Sequence, residues 1–255
     1  MYDYHIHSNY SDGRPLPRML AAAEDLGLEG VGVADHCVVS SRPEAHRARV
    51  RKGFNLDVTH ERRSEAIESF RETADVEIYD AVEMDYHPDD EADIAAFLDG
   101  TAFDYAIGSV HYLDGVNVHD REYFGAFSES ARREYVERYF ERLRSLVESG
   151  LFDVVAHPDL IERNPALRGF ATAEQYGTIA SALADHDATP EINAGRANRA
   201  YGEFHPAPEF LRELREHGVS ITLGSDAHTP GALRERHELI DDFLAEHDIE
   251  PARPV

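Results

Sequence analysis

Cysteine and lysine are almost absent from this 255-residue sequence, and each scarcity excludes something. Cys37 is the only cysteine, so no intrachain disulfide can form and nothing indicates an oxidising compartment. Lys52 is the only lysine, and 50 acidic residues against 25 basic ones give a formal net charge of -25. A surface of this sign repels polyanions, so extended nucleic acid is an unfavourable partner.

Long apolar runs are missing as well. No stretch approaches the roughly 20 apolar residues that span a bilayer, so we expect no membrane partner. The first predicted strand begins at Tyr2, which leaves no room for a cationic leader, and we expect a cytoplasmic protein. A cytoplasm with concentrated salt would screen the repulsion among so many carboxylates, so we predict a halophilic protein whose stability rises with salt.

Three common catalytic signatures are also missing. The sequence contains no Gly-x-x-x-x-Gly-Lys-Ser/Thr loop, no Gly-x-Gly-x-x-Gly after the first strand and no Gly-x-Ser-x-Gly turn. Nucleotide-binding loops and serine hydrolysis therefore have no support in the sequence.

What the sequence does contain is a regular alternation of two patterns. Seven apolar runs are predicted as strands, at residues 2–6, 30–34, 76–82, 103–110, 152–156, 189–193 and 219–223. Between them, apolar residues recur at helical spacing in residues 15–26, 59–74, 129–149, 173–186, 207–217 and 231–247. Strands that alternate with helices predict parallel β/α units, and we favour a single domain over residues 1–255.

Imidazole and carboxylate side chains follow these strands where each one ends. The C-terminal ends of the strands of a closed β/α barrel meet at one rim, which is where such folds keep their active sites. Nitrogen and oxygen ligands without thiolate suit Zn, Mn or Fe, and the set is too large for one tetrahedral ion, so two or three metal ions are expected. The nine candidate ligands are His5, His7, Asp12, His36, Glu83, His111, His157, Asp226 and His228.

Single members of this set also have ordinary structural interpretations. Asp12 lies in Ser-Asp-Gly, which can form a simple turn before a helix. Asp35 is expected to support a ligand or to cap a helix, and Asp159 could cap the segment that follows it. Other histidines, including His237, lie in helical segments and are expected to be exposed. Cys37 is expected to be a buried thiol.

The order of these motifs resembles the polymerase and histidinol phosphatase (PHP) superfamily. The resemblance extends from residue 5 to residue 228 and implies an α/β fold, a distorted (β/α)7 TIM-like barrel with a trinuclear metal centre. Residues 108–115 (Gly-Ser-Val-His-Tyr-Leu-Asp-Gly), residues 157–160 (His-Pro-Asp-Leu) and residues 191–193 (Glu-Ile-Asn) resemble the histidinol-phosphate phosphatase branch.

The family arrangement implies how the ligands divide among three ions. One ion would take His5, His7, Glu83 and Asp226, the second Glu83, His111 and His157, and the third Asp12, His36 and His228. Adjacent divalent ions can supply hydroxide near neutral pH and screen phosphoryl charge, so in-line attack by a bridging hydroxide is expected without a phosphoenzyme. Glu83, Asp226 and His228 are expected to act in catalysis.

Phosphate oxygens that no metal ion binds need other donors. Arg163 and Arg196 follow the fifth and sixth predicted strands, and the guanidinium fork suits a phosphate. Both are candidate substrate-binding residues, although surface solvation would equally explain an arginine there. Asn193 could orient ligands or cap a loop.

Three functions compete at this stage. The branch resemblance implies a metal-dependent phosphomonoesterase that converts L-histidinol phosphate to L-histidinol in histidine biosynthesis, hence a small phosphorylated substrate. A PHP phosphoesterase acting on nucleotide bisphosphates or short oligonucleotides would use the same metals. A non-catalytic metal-binding module would be expected to lack some ligands, whereas all nine candidates are present. The sequence does not indicate an oligomeric state.

Overall fold

Seven parallel strands form a nearly closed barrel in the computed structural model of the protein. The structure describes residues 1–255, apart from the side chain of Ala48. The strands are β1 (Tyr2–Ile6), β2 (Gly30–Cys37), β3 (Glu77–Asp85), β4 (Tyr105–Ser109), β5 (Tyr112–Leu113), β6 (Val116–Asn117), β7 (Val154–Val155), β8 (Thr189–Asn193) and β9 (Thr222–Gly224). The order around the barrel is β1-β2-β3-β4-β7-β8-β9, and β5 and β6 form a separate antiparallel hairpin. This architecture confirms the predicted α/β fold, a distorted (β/α)7 TIM-like barrel.

Helices surround the barrel on its outer side. They are α1 (Leu16–Asp25), α2 (Pro43–Lys52), α3 (His60–Arg71), α4 (Glu91–Asp99), α5 (Arg121–Gly125), α6 (Glu129–Glu148), α7 (Ala173–Asp185), α8 (Pro208–Glu216) and α9 (Pro230–His247). Short 3-10 helices cover Leu56–Val58, Pro88–Asp90 and Leu160–Arg163. Within the described residues, no helix combines the length and apolar character that crossing a membrane requires.

The apolar faces of the helices pack onto the strands and form most of the core. In α8, Phe210, Leu211 and Leu214 are buried at helical spacing and belong to the same apolar cluster as Ile192 of β8. Proline occupies the first turn of α8, where its missing N–H removes no helical hydrogen bond. The seven barrel strands and six of the helices match their predicted segments to within three residues at each end.

The barrel closes between β1 and the segment that follows β9. The amide of His7 donates to the carbonyl of Ala227 (2.9 Å), and the amide of Asp226 donates to the carbonyl of His5 (2.7 Å). Ile6 and Ala227 form a parallel bridge at the same place. The two chain segments that carry His5, His7 and Asp226 are therefore hydrogen-bonded directly to each other.

A buried carboxylate supports this closure from below. Asp3 Oδ1 accepts hydrogen bonds from the amides of His5 (3.1 Å) and Ser225 (2.9 Å), and its Oδ2 lies 2.9 Å from His237 Nε2. The prediction that His237 is exposed was wrong, because the buried Asp3 carboxylate needs a partner and His237 supplies it from α9. Cys37 is fully buried, as predicted.

Candidate metal centre

Glu83 lies at the centre of the residues that the barrel brings together at its C-terminal rim. The side chain is 1% exposed, and β3 places it between ligands from four other strands or the loops that follow them. Its carboxylate oxygens approach His36 Nδ1 (2.7 Å), His157 Nε2 (3.1 Å), His111 Nε2 (3.4 Å), His5 Nε2 (3.5 Å) and His7 Nε2 (3.6 Å). Five of the nine predicted ligands thus surround a sixth, the carboxylate of Glu83.

The remaining three predicted ligands join the same cluster from its outer side. Asp226 Oδ1 lies 3.3 Å from His7 Nε2 and 3.6 Å from His228 Nδ1. Asp12 Oδ1 lies 3.2 Å from His228 Nε2 and 3.7 Å from His36 Nε2. All nine side chains therefore converge, although Asp12 is exposed to solvent and His228 is only half-buried.

Three groups within the cluster have ligand atoms close enough to hold an ion. They are His7 with Asp12, His36 and His228; His5 with His7 and Glu83; and His36 with Glu83 and His111. In these groups His7, His36 and Glu83 each appear twice, whereas the family resemblance implies that only Glu83 is shared. The position of each ion within the cluster stays a prediction.

The buried polar atoms of the cluster fit a set of cations. His5 Nε2 and His7 Nε2 face each other at 3.1 Å. Two imidazole nitrogens at that distance share a proton or, when both are unprotonated, direct their lone pairs at one place. Among the described residues, His157 Nδ1 is buried without a hydrogen-bond partner, and Glu83 Oε2 is buried with His36 Nδ1 at 2.7 Å but without a hydrogen bond of normal geometry. Such atoms are costly inside a protein unless a proton or a metal ion pairs with them.

The protonation states of His7 and Glu83 suit metal binding. Burial and the neighbouring charges of His228 and His36 lower the pKa of His7 to about 3, so this imidazole is neutral near pH 7. Burial alone would raise the pKa of Glu83, but the charges of His36, His111 and His5 hold it well below its usual range. A neutral imidazole and an ionised carboxylate are the forms that bind metal ions.

Two further carboxylates orient the imidazoles from behind. Glu191 contacts His5 Nδ1 (3.0 Å) and accepts hydrogen bonds from the amide of His157 (3.1 Å) and from Asn193 Nδ2 (2.6 Å). Asp85 contacts His111 Nδ1 at 2.6 Å. A histidine that binds a metal through one nitrogen usually donates its other N–H to such a carboxylate. Sequence reasoning did not predict either contact, although Asp85 follows Glu83 by two residues on the same strand.

Asp35 is a support and not a member of the cluster. Its carboxylate accepts hydrogen bonds from the amide of Ser8 (2.8 Å) and from the hydroxyls of Ser8 and Ser11 (2.6 Å each). These contacts fix the loop that carries Asp12. The fully buried Arg63 binds the other side of Asp35 at 3.1 Å, so the support extends into the core.

Backbone conformation is unusual at two of the predicted ligands. His157 has φ of 27° and Asp226 has φ of 54°, values that L residues rarely adopt. Such conformations cost about 1–3 kcal/mol each and persist where the surrounding structure imposes them. The hydrogen bond from the Asp226 amide to His5 is one such constraint.

The cluster opens into a cavity of about 420 Å³ that is lined by several cationic side chains. Arg163 is the most constrained of these: it donates to Asn193 Oδ1 (2.8 Å) and His205 Nε2 (2.8 Å), and its Nη2 lies 3.5 Å from Asp226 Oδ2. A Cβ on Gly195 would lie 2.6 Å from Arg163 Nη2, so glycine allows this close approach.

The two predicted substrate-binding arginines differ in their surroundings. Arg163 has a side chain that is 8% exposed, whereas Arg196 lines the same cavity from an exposed position. His205, which holds Arg163, was not identified from the sequence. It lies in a loop without a ligand-like motif and reaches the site through backbone pairing with Asn193.

Comparisons with known proteins identify the family of the chain. The model of the PHP domain family matches residues 3–169. A protein of Deinococcus radiodurans named "Probable histidinol-phosphatase" is 28% identical over 237 residues, which cover 91% of this chain and 87% of that protein. A histidinol-phosphatase of Lactococcus lactis subsp. lactis is 25% identical over 235 residues, which cover 89% of this chain and 83% of that protein.

A solved structure has the same fold. The crystal structure of histidinol phosphate phosphatase from Lactococcus lactis subsp. lactis, complexed with zinc, L-histidinol and phosphate, has a TM-score of 0.72 and 22% sequence identity. The similarity covers 94% of this chain and 92% of that one. The resemblance that the sequence motifs indicate is thus confirmed at the level of the family and of the barrel.

Proposed function

This chain belongs to the PHP domain family, and from that membership we propose that it hydrolyses L-histidinol phosphate to L-histidinol and phosphate in a metal-dependent reaction. Its named relatives make it a hydrolase of phosphoric monoesters. We also propose that residues 1–255 work as one domain.

One observation carries the proposal. Six imidazoles and two other carboxylates from all parts of the sequence gather with Glu83 in a cavity that also contains a buried arginine. We propose that they hold two or three divalent ions, Zn, Mn or Fe, with His5, His7, His36, His111, His157, Asp12, Glu83, Asp226 and His228 as ligands. When bound, such ions supply hydroxide near neutral pH and screen the charge of a phosphoryl group.

The protein's own residues supply the rest of the catalytic environment. Glu83 and Asp226, both ionised and almost fully buried, place negative charge against the cations and fix the imidazoles around them. His228 faces Asp226 on one side and Asp12 on the other, so its two nitrogens have defined neighbours at the cavity mouth.

Arg163 and Arg196 are proposed to bind phosphate oxygens. Arg163 is held by Asn193 and His205, so its fork is oriented before the substrate arrives, which lowers the entropic cost of binding. Arg196 is exposed and is expected to become ordered only when it contacts the phosphate.

The test is phosphate release from a panel of esters by protein reconstituted with Zn or Mn. The panel contains histidinol phosphate, nucleotide monophosphates and bisphosphates, and short DNA. We expect histidinol phosphate to give the dominant kcat/KM, and chelation of the metal to abolish the activity until the metal is restored. A dominant rate on DNA or on a nucleotide bisphosphate would overturn the choice of substrate.

The active-site assignment has its own test. Glu83→Gln keeps the size of the side chain but removes the charge at the centre of the cluster, so we expect loss of bound metal and of at least about 10³-fold in kcat, the order seen when a preorganised electrostatic group is removed. Trapping a phosphorylated side chain during turnover would contradict direct attack by water on phosphorus.

A further inference from the structure

The single lysine of this chain lies in the catalytic cavity. The chain has 25 basic residues, of which 24 are arginine and one is Lys52. The cavity is lined by 18 of the 255 residues, about 7% of the chain. Every other basic residue of the chain is arginine, and the one lysine lies in the cavity that contains the proposed metal ligands.

Local structure fixes where the Lys52 ammonium lies. Lys52 is the last residue of α2, and Gly53 (φ 74°) turns the chain back so that Phe54 also lines the cavity. Lys52 Nζ lies 5.4 Å from the centre of the Tyr112 ring and 5.8 Å from that of Phe54. These distances are typical of cation–π contacts, which hold an ammonium in place without using its hydrogen-bond donors.

The carboxylate nearest to Lys52 leaves the ammonium available to a ligand. Asp85 Oδ2 lies 4.0 Å from Nζ, beyond hydrogen-bond distance, and Asp85 makes its short contact with His111 instead. The Lys52 side chain is 28% exposed. An ammonium has three N–H donors, so it can still bind an anion that enters the cavity.

Lys52 and Arg163 lie on opposite sides of the metal cluster. Lys52 Nζ lies 4.0 Å from Asp85, the last residue of β3, and 5.4 Å from the ring of Tyr112, three residues after β4. Arg163 contacts Asn193 and Asp226, at the ends of β8 and β9. In the barrel order β1-β2-β3-β4-β7-β8-β9 these strands face each other across the mouth. A phosphate over the cluster would therefore have a cation on each side.

Lysine and arginine are not equivalent at such a place. The ammonium is a compact point charge on a flexible stem, whereas the guanidinium is a wide planar fork. Between two aromatic rings, the smaller group can reach a single oxygen without displacing either ring.

We propose that Lys52 binds a phosphate oxygen of the substrate from the side opposite Arg163. This proposal rests on the function proposed above and adds a substrate-binding residue to it. A purely structural alternative exists, in which Lys52 only balances the charge of Asp85 and so keeps His111 in place. That alternative predicts altered metal content, whereas our proposal predicts altered phosphate affinity.

Amine labelling tests the proposal directly, because the chain has only two kinds of primary amine. The α-amino group of Met1 is paired with Glu29 (2.6 Å) before β1, at the end of the barrel opposite the cavity, so it serves as an internal control. Zinc-loaded protein would be acylated with an N-hydroxysuccinimide ester, with and without inorganic phosphate, and both sites quantified by peptide mass spectrometry.

We expect saturating phosphate to slow acylation of Lys52 by about tenfold or more and to leave the rate at Met1 unchanged. Calorimetry on the same zinc-loaded sample measures phosphate binding independently. If calorimetry shows that phosphate binds but Lys52 is acylated at the same rate with and without it, this proposal alone is overturned. A sample that binds no phosphate would overturn the proposed function as well.

Variants separate substrate binding from structural support. Lys52→Met should raise KM and the inhibition constant of inorganic phosphate by about tenfold while zinc content stays that of the parent protein. Arg51→Met is the matched control, because Arg51 is exposed on the same helix and does not line the cavity. Loss of zinc in Lys52→Met with unchanged KM, or equal effects of the two variants, would refute the proposal.

Discussion

Arg163 donates a hydrogen bond from Nε to Nε2 of His205 at 2.8 Å. Because a guanidinium cannot accept hydrogen bonds, His205 Nε2 must be the acceptor and the ring proton lies on Nδ1, which faces Asp159 Oδ1 at 2.5 Å. Burial, together with the charge of Arg163, lowers the pKa of His205 to about 4, which keeps the ring neutral. Asp159 and His205 are therefore positioning residues for Arg163.

Removal of the His205 ring should weaken substrate binding more than it slows the chemical step. A hydrogen bond to a charged group contributes about 1.5–3 kcal/mol, so we expect His205→Ala to raise KM by roughly tenfold or more, with a smaller change in kcat. Steady-state kinetics and zinc content are the measurements. His217→Ala, at an exposed histidine after α8, should leave both constants unchanged; a KM in His205→Ala equal to this control would exclude the positioning role.

Arg196 and Arg212 offer a matched pair of exposed arginines. Arg196 lines the catalytic cavity, whereas Arg212 lies on α8 beside Glu213. Since only Arg196 can reach a bound phosphate, Arg196→Ala should raise KM by about fivefold to tenfold and Arg212→Ala by less than about twofold. The comparison uses the same ester and metal for both variants, and similar KM values would remove Arg196 from the site.

Arg63 and Arg62 form a second matched pair, in this case for stability. Arg63 is fully buried and binds both Asp35 (3.1 Å) and Asp80 (2.5 Å), whereas Arg62 is exposed. Arg63→Met would leave two buried carboxylates without their cation, so we expect a loss of about 3–5 kcal/mol in the free energy of unfolding. Arg62→Met should change it by less than about 0.5 kcal/mol. Urea denaturation measures both, and equal midpoints would show that Asp35 and Asp80 do not depend on Arg63.

Glu162 should make stability depend on pH. Burial raises the pKa of its carboxyl to about 7, although the Gly169 amide donates to it at 3.0 Å. Because the folded state favours the protonated form, the wild-type protein loses stability as pH rises from about 4.5 through about 7. Glu162→Gln has no carboxyl to ionise, so the variant does not lose this stability.

Glu162→Gln should therefore become more stable relative to the wild type as pH rises. The measured quantity is the free energy of unfolding of the variant minus that of the wild type. We expect this difference to be about 1–2 kcal/mol larger at pH ~8 than at pH ~5. The value is smaller than the full pKa shift would give, because water solvates part of the Glu162 carboxylate. Subtraction of the wild-type values cancels the other titrating groups. A difference independent of pH would show that Glu162 ionises normally in the folded protein.

Salt should raise the melting temperature of this protein. The net charge of -25 produces self-repulsion that is screened as the Debye length falls from about 30 Å at 0.01 M salt to about 3 Å at 1 M. The measurement is the melting temperature from low to molar KCl. The increase with KCl should be smaller at about pH 5.5, because the net charge is smaller near the isoelectric point of about 4.8. A melting temperature that does not respond to KCl would end this explanation of the acidic surface.

The barrel and the cluster could be predicted because they depend on strong local signals. Each barrel strand is an apolar run, and the side chains that converge lie at or just after its end. Because the C-terminal ends of parallel barrel strands meet at one rim, His5, Glu83 and Asp226 could be predicted to lie close together. The ligand role of these residues stays a prediction until metal is measured.

Other features lacked such signals. α2 (Pro43–Lys52) was not predicted because its sequence is almost entirely polar, and its ends are set instead by Pro43 and by the left-handed Gly53. His205, Glu191 and Asp85 act through partners distant in sequence, which only the fold brings within reach. Burial of His237 depended on Asp3, more than 200 residues away.

The closure between β1 and the segment after β9 has a consequence for synthesis of the protein. His5 and His7 lie near the start of the sequence, while Asp226 and His228 lie near its end, and each pair needs the other to complete the cluster. A nascent or truncated chain therefore carries imidazoles that cannot yet form the full set. Under the proposed function, the full set of metal ions should therefore be held only when translation is almost finished, which makes complete metal loading a mark of a finished polypeptide.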